Sequence, residues 1–256
     1  MTWQVLFLHG LFGRPRLLDP WIRRLTTAGF ECHTVTLPGR EPTDEKTLRN
    51  SGVDEFFAAV LTARERLSVP PILIGHSFGG LLAQKLAART ETAALVLLAS
   101  VPPGILWPQL RALPHLFPLL PKLTAGAPIL PSPRTFRAVP FSTLPADEQT
   151  ELTARMVPES GRVFRAMTLG TPAMRVARSA VSCPVLSVSG GADRNVSNAA
   201  SRRIARRYGA EHRVVTHAPH WIVAESLADE IVPPVIDWLR NTVPDPSTRP
   251  TTEQSS

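Results

Sequence analysis

The stretch ILIGHSFGGLLAQKLA, Ile72–Ala87, constrains the fold more than any other part of the chain. Its first residues form an apolar run that is typical of a buried strand, and its last residues have the apolar spacing of a helix. Between them lies a glycine-rich hinge that carries one hydroxyl group, on Ser77. This order predicts a strand, a tight turn and a helix, with Ser77 on the turn.

The same alternation of apolar runs and helical patterns continues along much of the 256-residue chain and predicts a parallel sheet covered by helices. The predicted strands are Gln4–Leu8, Glu31–Thr36, Ile72–Ile74, Ala94–Leu98, Val185–Val188 and His212–Thr216. The predicted helices are Leu18–Ala28, Gly52–Leu67, Gly79–Ala88, Ala199–Tyr208 and Ala228–Asn241.

The alternation stops after Ser100 and resumes near residue 182. Prolines are frequent in between and limit the length of any helix, and short helical patterns remain at Ile105–Leu113 and Ser160–Thr168. We therefore predict a core in two parts, residues 1–101 and 179–243, a helical cap inserted at residues 102–178, and a disordered polar tail at residues 244–256.

Composition excludes several classes of protein. The apolar fraction is 43%, but no run is long enough to span a membrane, and the N-terminus has no basic leader. The net charge is +7, and the arginine cluster at residues 202–207 lacks interleaved aromatic residues, so we interpret it as a solvated helix face and expect no nucleic-acid partner. Two cysteines, Cys32 and Cys183, fit free thiols and favour a cytoplasmic location. We assign no oligomeric state.

The hinge Gly75-His76-Ser77-Phe78-Gly79 has the form G-x-S-x-G. A nucleophile on a strained strand-to-helix turn needs residues without side chains two positions before and after it, and the adjacent helix N-terminus favours developing negative charge. We predict that Ser77 is a nucleophile at the carboxyl edge of the sheet; a purely structural glycine-rich turn is the alternative.

A serine nucleophile needs a base, and the base needs a carboxylate. His220 follows the last predicted strand and is our candidate base, with His217 of the same loop as a competitor. Asp193 follows the strand Val185–Val188 and is our candidate acid, with a turn or helix cap as its alternative role. The chain order serine, acid, histidine is the order expected for a fold that places its nucleophile on such a strand-to-helix turn.

Acyl transfer also requires donors for an oxyanion. The amide of Phe78 directly follows the nucleophile and is the first candidate. The second lies in the glycine-rich loop after the first strand; we choose the amide of Leu11, with that of Phe12 as the alternative. Phe12, Trp107, Met167 and Trp221 are our candidates for pocket walls, and an apolar small-molecule substrate follows from them.

The segments LFLHGLFG, VTLPGR, ILIGHSFGGLLAQKLA, LVLLAS, PVLSVSGGADRNV and HAPHWIVAES resemble the α/β-hydrolase superfamily, in its cap-bearing branch. The resemblance implies an α/β-hydrolase fold with the catalytic triad Ser77, Asp193 and His220. The first predicted strand begins near residue 4, which leaves no room for an N-terminal hairpin, so we expect about six strands, all or mostly parallel.

The leading hypothesis is a serine hydrolase, carboxylesterase-like, that cleaves an ester, thioester or lactone through an acyl-enzyme without metal or cofactor. The same fold and triad also serve C–C bond hydrolysis, cyclisation or elimination on secondary-metabolite intermediates without a stable acyl-enzyme. The third hypothesis is a non-catalytic ligand-binding protein, and the complete set of site residues disfavours it.

Overall fold

The computed structural model describes residues 2–40 and 44–244 and contains one sheet of six parallel strands in the order β2-β1-β3-β4-β5-β6. The strands are β1 Trp3–Leu8, β2 Phe30–Thr34, β3 Ile72–His76, β4 Ala94–Leu98, β5 Val185–Gly190 and β6 Glu211–Val215. The predicted α/β fold with about six parallel strands is confirmed, and each predicted strand lies within two residues of an observed one.

Helices cover both faces of this sheet. The helices outside the β4–β5 connection are α1 Asp19–Thr27, α2 Glu45–Asn50, α3 Val53–Glu65, α4 Phe78–Ala87, α10 Asn198–Tyr208 and α11 Glu225–Thr242. The sequence patterns predicted all of these except α2, a six-residue helix too short to display an apolar period.

The burial of the strands explains their composition. Strands β3 and β4 are buried along their whole length, because helices cover both of their sides. The edge strand β6 is only partly buried. One hydrophobic cluster forms on each face of the sheet, around Phe7 and Trp21 on one side and around Phe56 and Phe78 on the other.

The connection between β4 and β5 is helical and irregular. It contains α5 Leu113–Leu116, α6 Leu120–Thr124, α7 Pro133–Ala138, α8 Ala146–Arg155 and α9 Gly161–Leu169, with short 3-10 turns before α5, between α5 and α6, and after α9. Its side chains enter both hydrophobic clusters, with Phe141 in one and Val163 in the other. The division into a core and a separate cap at residues 102–178 stays a prediction.

Of the two helices predicted in this connection, one is observed and the other is not. Ser160–Thr168 is helix α9, which begins where the Ser160 hydroxyl accepts a hydrogen bond from the Val163 amide. The predicted helix at Ile105–Leu113 was wrong: only Leu110–Ala112 forms a 3-10 turn. Pro108 interrupts the predicted stretch, and proline disfavours the helical conformation of the residue before it.

The predicted disordered tail lies outside the described residues, except for Pro244. Within residues 2–40 and 44–244, no helix is both long enough and apolar enough to span a membrane. Cys32 and Cys183 are free and half-buried, and burial raises the pKa of the Cys183 thiol to about 11.

Candidate active site

Ser77 lies on the turn between β3 and α4 with a strained backbone, φ 55° and ψ −121°. The flanking glycines make this turn possible. A Cβ atom on Gly75 would lie 2.5 Å from the carbonyl oxygen of Gly79, and one on Gly79 would lie 2.2 Å from the carbonyl oxygen of Leu8. Any larger residue at either position would push the helix away from the sheet, so the turn presents Ser77 only with glycine on both sides.

Three side chains form a continuous hydrogen-bonded chain at the carboxyl edge of the sheet. The Ser77 Oγ lies 2.8 Å from His220 Nε2, and His220 Nδ1 lies 2.8 Å from Asp193 Oδ2. Because a carboxylate only accepts, Nδ1 carries the proton and Nε2 is free to accept the proton of the serine. All three residues are buried, so little water competes for these contacts.

Asp193 is oriented by backbone donors from its own loop. Its Oδ1 accepts from the amides of Asn195 and Val196, at 2.7 and 2.9 Å. These bonds leave Oδ2 directed at His220. The carboxylate therefore both closes the turn and orients the imidazole, so the two roles considered for Asp193 coexist.

His217 lies away from this chain. Its side chain is 62% exposed and lies 3.2 Å from Glu230 Oε2. The structure thus brings His220 to Ser77 and leaves the competing histidine at the surface.

Two further histidines hydrogen-bond the backbone of the loops at this site, although the sequence patterns assigned them no active-site role. His76 Nε2 lies 2.9 Å from the carbonyl oxygen of His220 and donates to it, while His9 donates from Nδ1 to the carbonyl oxygen of Gly10, at 2.8 Å. Burial lowers the pKa of each histidine to about 3. A smaller lowering comes from Arg40 at His9 and from the neighbouring histidines at His76. Both rings are therefore neutral near pH 7. The one sequence signal for these backbone contacts is that His9 lies beside Gly10 and His76 beside Gly75.

The candidate oxyanion donors face the same edge. In the part of the chain that the structure describes, the amides of Leu11 and Phe78 donate to no protein acceptor outside regular helix and strand bonds. The Phe12 amide, the alternative to Leu11, is occupied, since it donates to Glu159 Oε2 at 2.9 Å. Leu11 is therefore the better of the two candidates.

A cavity of about 260 Å³ opens onto Ser77 and His220. Phe12, Met167 and Trp221 line it, as the sequence patterns indicated. Trp107, which was predicted to line it, does not: this side chain is 76% exposed, whereas its two neighbours Leu106 and Pro108 line the cavity. Wall residues that the sequence did not single out include Leu113, Leu123, Phe136, Phe141, Met156 and Val196.

The lining of this cavity restricts what it can hold. Every described residue that lines it is apolar or neutral, apart from histidines, and none is Asp, Glu, Lys or Arg. Within the described residues, no group of three or more His, Cys, Asp or Glu side chains is placed to bind a metal ion. The arrangement suits a neutral hydrophobic molecule held beside Ser77.

Comparisons with known proteins agree with this geometry. The sequence profile of the alpha/beta hydrolase family matches residues 5–233. A pyrethroid hydrolase from Sphingobium wenxiniae is 26% identical over 251 residues, which cover 89% of this chain and 85% of that protein. The chain belongs to the alpha/beta hydrolase family, and it is an enzyme of that class.

Solved structures share the fold at low sequence identity. A methylesterase from Arabidopsis superposes with a TM-score of 0.67 at 17% identity, over 93% of this chain and 97% of the other. A monoacylglycerol lipase from Paleococcus ferrophilus superposes with a TM-score of 0.66 at 21% identity, over 92% of this chain and 93% of the other.

Proposed function

We propose that this chain is a serine hydrolase of carboxylic esters, or of the related thioesters and lactones, with a neutral hydrophobic substrate. The observation that carries the proposal is the buried chain of hydrogen bonds from Ser77 through His220 to Asp193, with 2.8 Å at each step. A serine in such a chain is activated for attack on a carbonyl carbon.

The geometry supports acyl transfer in two halves. In the first, the Ser77 Oγ attacks the carbonyl carbon while His220 Nε2 accepts the hydroxyl proton. The tetrahedral oxyanion accepts hydrogen bonds from the Leu11 and Phe78 amides, and collapse expels the alkoxide, which takes the proton from His220. In the second half, a water molecule attacks the acyl-enzyme by the same route, which releases the acid and restores Ser77.

The cavity supports the proposed substrate class. Its walls are apolar and carry no charged side chain among the described residues, so a charged ester would lose its hydration without a partner. The relative named as a pyrethroid hydrolase also supports a bulky hydrophobic ester.

A series of p-nitrophenyl esters of increasing acyl length, from acetate to decanoate, tests this proposal. We expect kcat/KM to rise by up to about fourfold for each methylene that enters the cavity, since burying one is worth about 0.8 kcal/mol. An ester of matched length that ends in a carboxylate should react far more slowly. A preference for acetate or for the charged ester would contradict the proposed substrate class.

Two variants make this assay specific for the cavity. Phe164 lines the cavity, so Phe164→Ala should shift the optimum toward longer or bulkier acyl groups. Trp107 lies outside it, so Trp107→Ala should leave the chain-length profile unchanged. Ser77→Ala, assayed in parallel, sets the background rate.

A further inference from the structure

A buried ion pair joins the helical connection to the loops around the candidate active site. Arg40, in the loop after β2, donates from Nη2 to Glu159 Oε2 at 2.6 Å, and the two side chains are 1% and 0% exposed. Burying two opposite charges is costly even when they pair, and hydrophobic residues often replace such pairs without loss of stability. Stability alone therefore does not account for this pair.

The Glu159 carboxylate accepts hydrogen bonds from three donors, which lie in the loop after β1, in the loop after β2 and on the next residue along the chain. Besides Arg40, its Oε2 accepts from the amide of Phe12 at 2.9 Å, and its Oε1 accepts from the amide of Ser160 at 2.7 Å. The backbone of Glu159 is itself fixed, since it exchanges two hydrogen bonds with Ile129, at 2.8 and 2.9 Å. The carboxylate is thus a rigid acceptor presented to the loop after β1.

That loop is held on both sides of Phe12, through the two peptide groups that flank it. The Phe12 amide donates to Glu159, and the Phe12 carbonyl oxygen accepts from the amide of Val157, at 3.0 Å. Phe12 has φ 62°, a conformation that a bulky residue rarely adopts unless its surroundings impose it. The residues from Val157 to Glu159 supply that constraint.

Phe12, constrained in this way, directly follows the candidate oxyanion donor, Leu11, in the chain. Leu11 lies between Phe12 and Gly10, and a Cβ atom on Gly10 would lie only 2.9 Å from the Cβ atom of Ser77. The loop is therefore packed against the nucleophile at one end and clamped by Glu159 at the other. Fixing both neighbours of Leu11 fixes the direction of its amide.

We propose that Glu159 is a positioning residue for the hydrolysis, holding the loop of residues 10–12 so that the Leu11 amide points at the developing oxyanion, and that Arg40 neutralises the carboxylate beside that site. This inference rests on the proposed function. An unpaired carboxylate near a developing negative charge would oppose it, which gives the guanidinium a second purpose besides holding Glu159 in place.

Two double variants separate positioning from the ion pair. Both Arg40→Met/Glu159→Gln and Arg40→Met/Glu159→Leu lose both charges, so neither leaves an unpaired buried ion. Only the first keeps an oxygen that can accept from the Phe12 amide. With p-nitrophenyl butyrate, we expect the glutamine variant to keep kcat within about threefold of the wild type and the leucine variant to lose about 10- to 100-fold in kcat, with KM changed by less than about threefold in both.

Ser160→Ala is the matched control. It removes a different buried contact of the residue next to Glu159, since the Ser160 hydroxyl donates to the carbonyl oxygen of Ser51 at 2.6 Å, but it leaves the Phe12 clamp intact. Its kcat should stay within about twofold of the wild type even if its melting temperature falls. Equal kcat values for the two double variants, or an equal loss in Ser160→Ala, would overturn the inference.

Two further measurements complete the test. If the leucine variant does not fold, Glu159→Asp decides, because it keeps the charge but withdraws the carboxylate from the Phe12 amide; an unchanged kcat in that variant would overturn the inference. Wild type and Ser77→Ala are assayed on the same ester. A wild type no faster than Ser77→Ala would refute the proposed function itself, whereas an active wild type with insensitive Glu159 variants would refute only the positioning role.

Discussion

His220 reaches Ser77 because its loop is anchored at two points. Its carbonyl oxygen accepts from the buried His76 ring, and the next residue, Trp221, donates from its amide to the carbonyl oxygen of Pro140 at 3.0 Å. Asp193 then selects the tautomer that leaves Nε2 unprotonated. The reactivity proposed for Ser77 depends on this arrangement of several residues, and not on the serine alone.

Replacing each histidine of this loop in turn tests the choice of base. We expect His220→Ala to lower kcat for ester hydrolysis by about 10³-fold or more, because within the described residues His220 is the side chain that hydrogen-bonds the Ser77 hydroxyl. His217→Ala should keep kcat within about twofold, since His217 is exposed and contacts Glu230. Steady-state kinetics on both variants gives the comparison, and a large loss in His217→Ala alone would show that the wrong histidine was chosen.

At this scale the sequence predicted the residues that follow strands and missed those that act across the fold. Ser77, Asp193 and His220 each sit just after a strand, and parallel strands end at one edge, so their proximity could be predicted. The Arg40–Glu159 pair joins residues 119 positions apart, and no local sequence pattern indicates that these two residues pair. The exposure of Trp107 was equally hidden, because the path of a proline-rich loop depends on tertiary packing.

At the scale of elements, the turn between β3 and α4 is the most strongly determined part of the molecule. Gly75, Gly79 and Gly80 each face backbone or side-chain atoms closer than a Cβ atom could tolerate, and all ten residues of α4 are buried. Strands β3 and β4 were predictable because their continuous apolar runs, Ile72–Ile74 and Ala94–Leu98, fit a sheet that is covered on both faces.

The connection between β4 and β5 was predictable only in part. Helix α9 carries a serine cap and a clear apolar period, and it ends at Gly170 in the left-handed conformation, so its bounds could be read from the sequence. The stretch around Ile105 has a similar apolar content but adopts no helix until Leu110. Its conformation is set by contacts such as the Leu106 amide donating to the carbonyl oxygen of Met167, at 3.2 Å.

At the scale of the whole molecule, the buried histidines link stability to pH. His9 and His76 have pKa values lowered to about 3 in the folded chain, chiefly by burial, whereas in the unfolded chain they would titrate near the ordinary histidine value of 6.5. Between these two values the unfolded chain binds more protons than the folded chain, so acid favours unfolding.

We therefore expect the free energy of unfolding to fall as the pH is lowered from about 6.5 toward 3, with each histidine contributing up to about 1.4 kcal/mol per pH unit. Urea denaturation at a series of pH values measures this slope. His76→Gln should reduce it by about one histidine's share, while the same change at the exposed His217 should leave most of it. A slope that His76→Gln does not alter would contradict the assignment of His76 as a buried neutral group.

The proposed ester hydrolysis depends above all on an activated Ser77 beside a formed oxyanion site. Intact-mass spectrometry after exposure to a fluorophosphonate tests both together, since phosphonylation needs a nucleophilic serine and donors for the phosphoryl oxygen. We predict a single adduct on the wild type and none on folded Ser77→Ala, with a greatly slowed reaction in His220→Ala. A folded wild type that forms no adduct, or an equal adduct on Ser77→Ala, would contradict the account.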